Sequence, residues 1–343
     1  MAITSTVLLQ LQAGANEILQ KPENRDKNFG VFEKLWDNRQ TLFPFLASPD
    51  GATAIDPEDG VKSAQVASFE NKGDAVGTTR SSSHTGAALS TTTDTLTWAT
   101  VSQPFGVSMK DATGNFFKEA AQMAQGMITA RQLCLQKINT DALAFLDANK
   151  SGVSAVTSYP INNVTFDGTN DIHNVANGGK DLFFAIIQTI MEANNYGGFG
   201  IDFIHDYNLK QLALQFFNQG ANNDVNKQYQ IAQNFNYAAA LISSASTAGL
   251  GYMFPTGSVG IITAIPKKNR EGMAGDGQIW GSMVDPVYPG LVWALHAREV
   301  AQNGTKNQDL HKYFELSVDY SLKAAKLSTS DETVIQKVAL LNA

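Results

Sequence analysis

The chain has 343 residues and a formal net charge of −7, with charged side chains at 17%, against roughly 25% in ordinary soluble domains. That length suffices for two or three domains with a sizeable core. The acidic balance excludes nucleic-acid binding driven by counterion release, and no apolar run reaches the roughly 18 residues of a membrane-spanning helix.

Asn, Gln, Ser, Thr and Gly make up the polar surface instead, a composition suited to a surface that other protein covers. The tight basic cluster Lys267, Lys268 and Arg270 reads as a solvated turn. The single Cys134 allows no intrachain disulfide and reads as a small buried hydrophobe. A basic segment followed by an apolar core is missing from the N-terminus, so the chain is expected to stay in the cytoplasm where it is made.

Residues 3–20 place Val7, Leu8, Leu11, Ala15 and Ile18 at helical spacing, which predicts an amphipathic helix. A polar stretch follows, and then an apolar group at Phe29, Val31, Phe32, Leu35, Trp36, Leu42, Phe43 and Phe45. This N-terminal segment reads as an arm with docking points. Asp56-Pro57-Glu58-Asp59-Gly60 lacks the spacing of a calcium loop and reads as a solvated turn.

Between Thr78 and Thr97 most positions are Ser or Thr. Leu96 and Trp98 alternate with threonines, and the alternation resumes one residue out of phase at Val101, Gln103, Phe105, Val107 and Met109. A period of two with a phase slip predicts a strand carrying a bulge. With Gly73, Gly77 and Gly86 to turn the chain, residues 61–110 read as a long hairpin with little apolar face of its own. Such a hairpin is marginal in water and makes sense lying on something else. A disordered Ser/Thr linker is the alternative.

From Thr113 to Asn149 there is no proline, and Ala121, Ala124, Ile128, Leu135, Ile138, Ala142 and Phe145 recur at helical spacing. The predicted helix is about 55 Å long. Its polar face carries Gln122, Gln125, Thr129, Gln132, Gln136 and Asn139 where a solvated helix would carry Glu and Lys. Uncharged amides suit a face covered by protein, because they hydrogen-bond without the desolvation cost of an ion. The helix therefore reads either as a spine packed by other subunits or as a helix crossing the core of a monomer. Arg131 interrupts the apolar stripe and reads as a paired structural arginine.

Short strand signals appear around Val164 and Phe166. Asp181–Asn195 is predicted as a helix with Leu182, Phe183, Ile186, Ile187, Ile190 and Met191 on one side. Phe199–Ile204 reads as a buried strand, Tyr207–Gln219 as a second helix and 220–228 as a polar loop. Strand-like runs follow at Gln228–Phe235, Ala238–Ser243 and Tyr252–Ile262. Ile279–Met283, Leu291–Val300 and Tyr313–Leu322 complete the strands, the last with clean alternation. Val334–Leu341 is apolar and reads equally as strand or helix.

No catalytic motif stands out. Gly257-Ser258-Val259-Gly260 is one residue short of a nucleophile elbow, and the five histidines have no metal-ligand spacing. His205-Asp206 at a strand end is the best acid–base candidate, with helix capping by Asp206 as the plainer account.

The order of parts carries more than any single motif. A Ser/Thr-rich hairpin leads into a long helix, a mixed α/β domain follows, and antiparallel strands close the chain. This resembles the major capsid proteins of tailed bacteriophages, the Hong Kong 97-type shell fold, from about residue 28 to the end. Phe254-Pro255-Thr256-Gly257-Ser258-Val259-Gly260 resembles the family's Pro-x-Gly-Ser turn, and Trp280 to Tyr320 its closing strands. The resemblance implies an α+β fold with an N-terminal arm (1–60), an extended hairpin loop (61–110), a peripheral domain (111–180 and 271–343) and an axial domain (181–270). It implies a self-assembling structural subunit of an icosahedral or prolate virion capsid, forming pentamers and hexamers around double-stranded DNA. Neither enzymatic activity nor cofactor, metal or membrane goes with that role. Separate scaffold, portal and decoration proteins are the expected partners, and the host cytoplasm the expected place of assembly. Leu96, Trp98, Val101, Phe105 and Arg80 on the hairpin, with Asn222 and Asn223 on the axial loop, become the expected intersubunit contacts. An encapsulin-like compartment shares the implied fold; an enzyme using His205 and Asp206 is the reading from another class.

Overall fold

The protein is described here by a computed structural model covering residues 28–42, 65–70, 90–108, 116–155, 158–159, 164–196, 200–219, 233–239, 241, 247–265, 272–273, 278–301, 310–326 and 332–342. The expected helix at 3–20, the Asp56–Gly60 turn and the loop 220–228 lie outside these residues.

Two sheets and a long helix between them organise the chain. Helix α1 (Gly30–Asp37) buries Val31, Phe32, Leu35 and Trp36, with Phe29 beside them, in the main core. The short helix α2 (Arg39–Leu42) follows. The expected docking points Phe29, Val31, Phe32, Leu35 and Trp36 are therefore seated in the subunit's own core. The reason lies in their partners: the Phe32 amide donates to Asn139 Oδ1 on the long helix (3.0 Å), and the Phe32 ring meets Tyr288 edge to face. Gly30 is obligatory here. A Cβ on it would stand 2.0 Å from the Tyr237 carbonyl oxygen. Backbone cannot swing aside as a side chain can, so Gly30→Ala is expected to cost about 2 kcal/mol of subunit stability by overpacking. Thermal unfolding of the unassembled subunit measures it, and an unchanged midpoint would show that α1 shifts freely.

Strands β1 (Gln65–Glu70) and β2 (Ser90–Thr95) pair antiparallel as a two-stranded sheet, Gln65 opposite Thr95 and Glu70 opposite Ser90. Leu96-Thr97-Trp98 then runs without strand pairing into β3 (Ala99–Ser108). The phase slip of the sequence is therefore a break between two strands in different sheets, where a bulge within one strand was expected. The hairpin ends at Thr95, and β3 belongs to the body.

Helix α3 (Phe116–Ala148) is the long helix of the sequence. Ala124, Ile128, Leu135, Ile138 and Ala142 of the expected stripe are buried; Ala121 is exposed. Met123, Met127, Ala130, Cys134 and Leu146 complete the inward face. At Gly126, where a Cβ would lie 2.6 Å from Phe105 Cδ2, the absence of a side chain lets β3 approach the helix.

After α3 come the short strands β4 (Ser158–Tyr159), β5 (Val164–Asp167) and β6 (Ile172–Val175). A 3-10 turn over Asn177–Leu182 precedes α4 (Phe183–Ala193), so the expected helix from Asp181 starts later and Leu182 is exposed where an inward position was expected. Strand β7 (Ile201–His205) is buried along its whole length, and α5 (Tyr207–Gln219) has the predicted bounds. Strand β8 (Gln233–Tyr237) is followed by a turn, Leu241 N donating to Ala238 O (3.1 Å), in place of the strand expected from Ala238. Strands β9 (Thr247–Pro255) and β10 (Val259–Ala264) flank a tight turn. There Gly257 takes φ +81° and Ser258 N donates to Pro255 O (3.0 Å). The chain ends with β11 (Gly272–Met273), β12 (Gln278–Val284), β13 (Val292–Ala301), β14 (Leu310–Ala324) and β15 (Gln336–Leu341). Strand is thus the form adopted by the undecided apolar segment.

The 15-residue β14 is the axis of a six-stranded sheet. By register, β3 runs along one edge of it, while β13 and β10 share the other. The second sheet has seven strands in the order β4-β5-β6-β15-β9-β7-β8, antiparallel except at β6–β15 and β7–β8. Sheet membership therefore cuts the chain differently from the expected boundaries. Strands β5, β6 and β15, expected in the peripheral part, lie in the seven-stranded sheet. Strand β10, expected in the axial part, lies in the six-stranded one. The larger core joins α1, α3, the six-stranded sheet and the near face of the seven-stranded sheet; a second core packs α4 and α5 on its far face.

Candidate assembly surfaces

The outward face of α3 carries Ala121, Gln122, Gln125, Thr129, Leu133, Gln136, Thr140, Ala144 and Ala148, all exposed. Lys137 is the one charged residue among the exposed positions described on this helix, and it is paired with Asp141. Thr129 and Thr140 donate their hydroxyls to the carbonyls of Gln125 (3.0 Å) and Gln136 (2.9 Å), four residues back. What remains is small, amide or apolar, with Leu133 exposed at 44%. Removing such a surface from water costs little, because ions dominate desolvation penalties.

The helix is held rigid beneath that face. Arg131, 1% exposed, meets Asp285 through Nε–Oδ2 (2.6 Å) and Nη2–Oδ1 (3.0 Å). Asp285 also accepts from Trp293 Nε1 (2.8 Å) and from the amides of Val287 and Tyr288 (2.9 Å each). This is the partner the sequence reading required for Arg131. A second node is Asp202, fully buried, which takes Lys34 Nζ (2.8 Å), Asn38 Nδ2 (2.8 Å) and Thr256 Oγ1 (2.9 Å) and so locks α1 to β7 and the β9–β10 turn. At its C-terminal end, α3 clasps both sheets through tyrosines. Tyr320 of β14 donates to Asp141, and Tyr252 of β9 donates to Asp147 (2.8 Å), which also holds Lys337 (2.6 Å). Burial, with the carboxylate alongside, pushes the Tyr252 and Tyr320 hydroxyls far up in pKa, so both stay protonated donors.

A cavity of about 610 Å³ opens where the hairpin leaves the body, between Thr95-Leu96-Thr97, the last turns of α3 (Ala144, Phe145, Ala148) and the end of β14 (Tyr320, Leu322, Ala324).

The expected contact residues fall into three groups. Val101 is buried in the main core, and Phe105 stacks on Phe314 at 5.2 Å, so both have their apolar surface engaged within the subunit. Leu96 is buried against Ile262, with Trp98, Leu42 and Ala264 packed on that small cluster; the root of the hairpin is therefore fastened to its own body. Arg80, Asn222 and Asn223 lie outside the described residues. The sequence reading missed Leu133 and the cavity, although Leu133 was legible as a lone leucine on an amide-rich face.

His205 and Asp206 do not form an acid–base pair. His205 Nδ1 donates to the Asp206 carbonyl (2.9 Å), and Asp206 Oδ1 accepts the Leu209 amide (2.9 Å) as the cap of α5. Both side chains are buried, and burial lowers the His205 pKa, keeping the ring neutral. Among the described residues no cluster of three His, Cys, Asp or Glu is placed to hold a metal.

No family model matches the sequence, and no curated protein does either. Solved structures do match. The Cyanophage A-1(L) capsid asymmetric unit aligns with 87% of this chain and 92% of its own at 16% identity and a TM-score of 0.50. The capsid of Myoviridae Phage XM1 aligns over 84% and 89% at 12% identity and a TM-score of 0.45. A virus-like particle from Pyrococcus furiosus aligns over 90% and 97% at 8% identity and a TM-score of 0.41. The cyanophage match gives this chain the α+β shell fold that the order of its parts resembles.

Proposed function

We propose that this chain is the structural subunit of a tailed-phage capsid, assembling through copies of itself into a closed shell around double-stranded DNA. The observation that carries the reading is the 33-residue α3, whose described outward face holds a single, paired charge. A monomer gains nothing by excluding charge from a solvated helix face that long. A neighbouring subunit covering it does.

The rest of the architecture fits that role. Strands β1 and β2 form a two-stranded sheet of their own, too small to be stable unaided, and a neighbour supplies the missing surface. Contacts between unlike patches of identical subunits close into rings, as pentamers and hexamers require. On this reading the seven-stranded sheet with α4 and α5 is the axial domain, and α3 with the six-stranded sheet is the peripheral domain. The subunit has no catalytic role, and its net negative charge keeps packed DNA from adhering to the wall. Scaffold, portal and decoration proteins are the partners, and the mature location is the virion.

The test is expression with the scaffold gene from the same genome, followed by electron microscopy and sedimentation. Closed shells are expected; a monomer under every assembly condition overturns the reading, and enzyme cargo inside cell-derived shells replaces it with an encapsulin-like compartment. Leu133→Lys is the point probe. At an exposed helix position it leaves subunit unfolding within about 0.5 kcal/mol of wild type, while the yield of closed particles falls at least severalfold. Normal particle yield would place this face on the open surface.

A further inference from the structure

The last strand of the chain, β15, is the middle strand of the seven-stranded sheet. It is joined unequally to its two neighbours. Six residue pairs link it to β9, whereas three link it to β6: Val338 with His173, Ala339 with Asn174 and Leu340 with Val175. A histidine thus stands at the first pair of the weaker seam, and it is fully buried.

The hydrogen bonding of that histidine is one-sided. Its Nε2 lies 3.0 Å from Gln336 Oε1, and Gln336 Nε2 faces the Val153 carbonyl at 3.4 Å. Turning the amide over would set Oε1 against that carbonyl, so the glutamine orientation is determined and Nε2 of His173 is the protonated nitrogen. The other nitrogen, Nδ1, is buried with no partner among the described residues, and the ring leans on Phe166 at 4.8 Å. As a bare lone pair, Nδ1 is tolerated. As an N–H on an imidazolium it would be a buried charge and a buried donor without an acceptor, the costliest kind of polar burial.

We propose that the β6–β15 seam is an acid-opened joint, in which protonation of His173 at Nδ1 drives the β4–β5–β6 ribbon away from β15 so that the ring reaches water. Among the described residues, the groups around the ring offer no counter-charge. Strand β15 presents Gln336 and pairs Val338 with His173, β5 presents Phe166, and the Val153 carbonyl after α3 meets the far side of Gln336. Asp171 and Glu332 are the acids on neighbouring elements, and both approach Gly152. Burial and the Gln336 bond alone determine the ring's basicity, and burial dominates, holding the pKa down to about 4. A base whose affinity for protons falls on closing favours the closed seam fully above its ordinary pKa of 6.5. That advantage shrinks as the pH drops and is gone by about 4, where both forms are protonated. His205, in the same sheet, is also held low, but Asp206 and Lys210 are its charged neighbours and it reports on the β7–β8 side.

Hydrogen exchange of the unassembled full-length subunit between pH 7 and 4, corrected for intrinsic rates, tests the joint. Protection of residues 173–175 and 338–340 is expected to fall on the order of a hundredfold across that range, ahead of the β7–β9 amides. His173→Gln keeps a donor for Gln336 and takes up no proton, so its seam should hold protection at pH 4. Gln336→Glu, a second variant in case the first fails to fold, sets a carboxylate against Nε2, stabilises the cation and moves the opening to lower pH. Parallel loss in wild type and variants, or loss that begins at β7–β8, overturns the proposal.

Discussion

Asp285→Ala is expected to destabilise the unassembled subunit by about 3–5 kcal/mol, the cost of leaving a buried charge without its partner. Arg131 is 1% exposed and has its Nε and Nη2 engaged by that carboxylate. The same substitution strands Trp293 Nε1 and the amides of Val287 and Tyr288. Denaturant unfolding measures the loss, and the double variant Arg131→Met with Asp285→Ala shows its origin. Removing the cation along with the anion should cost less than the sum of the two single changes, because no buried charge is then left over. Full recovery is not expected, since the tryptophan and the two amides stay unpaired. A single-variant cost below about 1 kcal/mol would mean that water reaches Arg131 and that the node does not brace α3.

Excising the hairpin should have the opposite signature, a stable subunit that forms no shells. Gln65 and Thr95 are directly paired, so a two-residue Asn-Gly turn can rejoin them after removal of residues 66–94. Among the described residues β1 and β2 pair only with each other, and the cut removes no strand of the six- or seven-stranded sheet. Leu96 and Trp98 stay in place on Ile262, so the exit of the chain toward β3 keeps its anchor. Unfolding of the excised subunit should fall within about 1 kcal/mol of wild type, and closed particles should vanish. If the shortened chain unfolds instead, the hairpin folds back on its own body. If it still assembles, the contacts that close the shell lie elsewhere, with α3 as the remaining candidate surface.

Local pattern was enough to identify most elements. Tyr207–Gln219 was legible to the residue, because Leu209 and Ala213 repeat at helical spacing and Asp206 supplies the cap. Long α3 and its uncharged face, the alternation of β14, and the Gly257 turn were equally open to reading, since each depends on residues a few positions apart. The capping of α5 by Asp206, the plainer account of His205-Asp206, was legible as well.

Partnership was decided only by the tertiary structure. The period of two in Val101–Val107 says that β3 is half-buried; only pairing with β14, some two hundred residues later, puts it in the body and shortens the hairpin. Phe29–Trp36 is equally apolar in an arm or in a core, and Asn139 and Tyr288 determine which. Arg131 announces a partner but cannot name Asp285, 154 positions away. Composition left Val334–Leu341 open between helix and strand. Its β form came from two vacant edges, β6 and β9, that only the assembled fold brings to either side of it. Backbone hydrogen bonds within a helix join residues four apart and leave a trace in the sequence, whereas those of a sheet join segments of any separation and leave none.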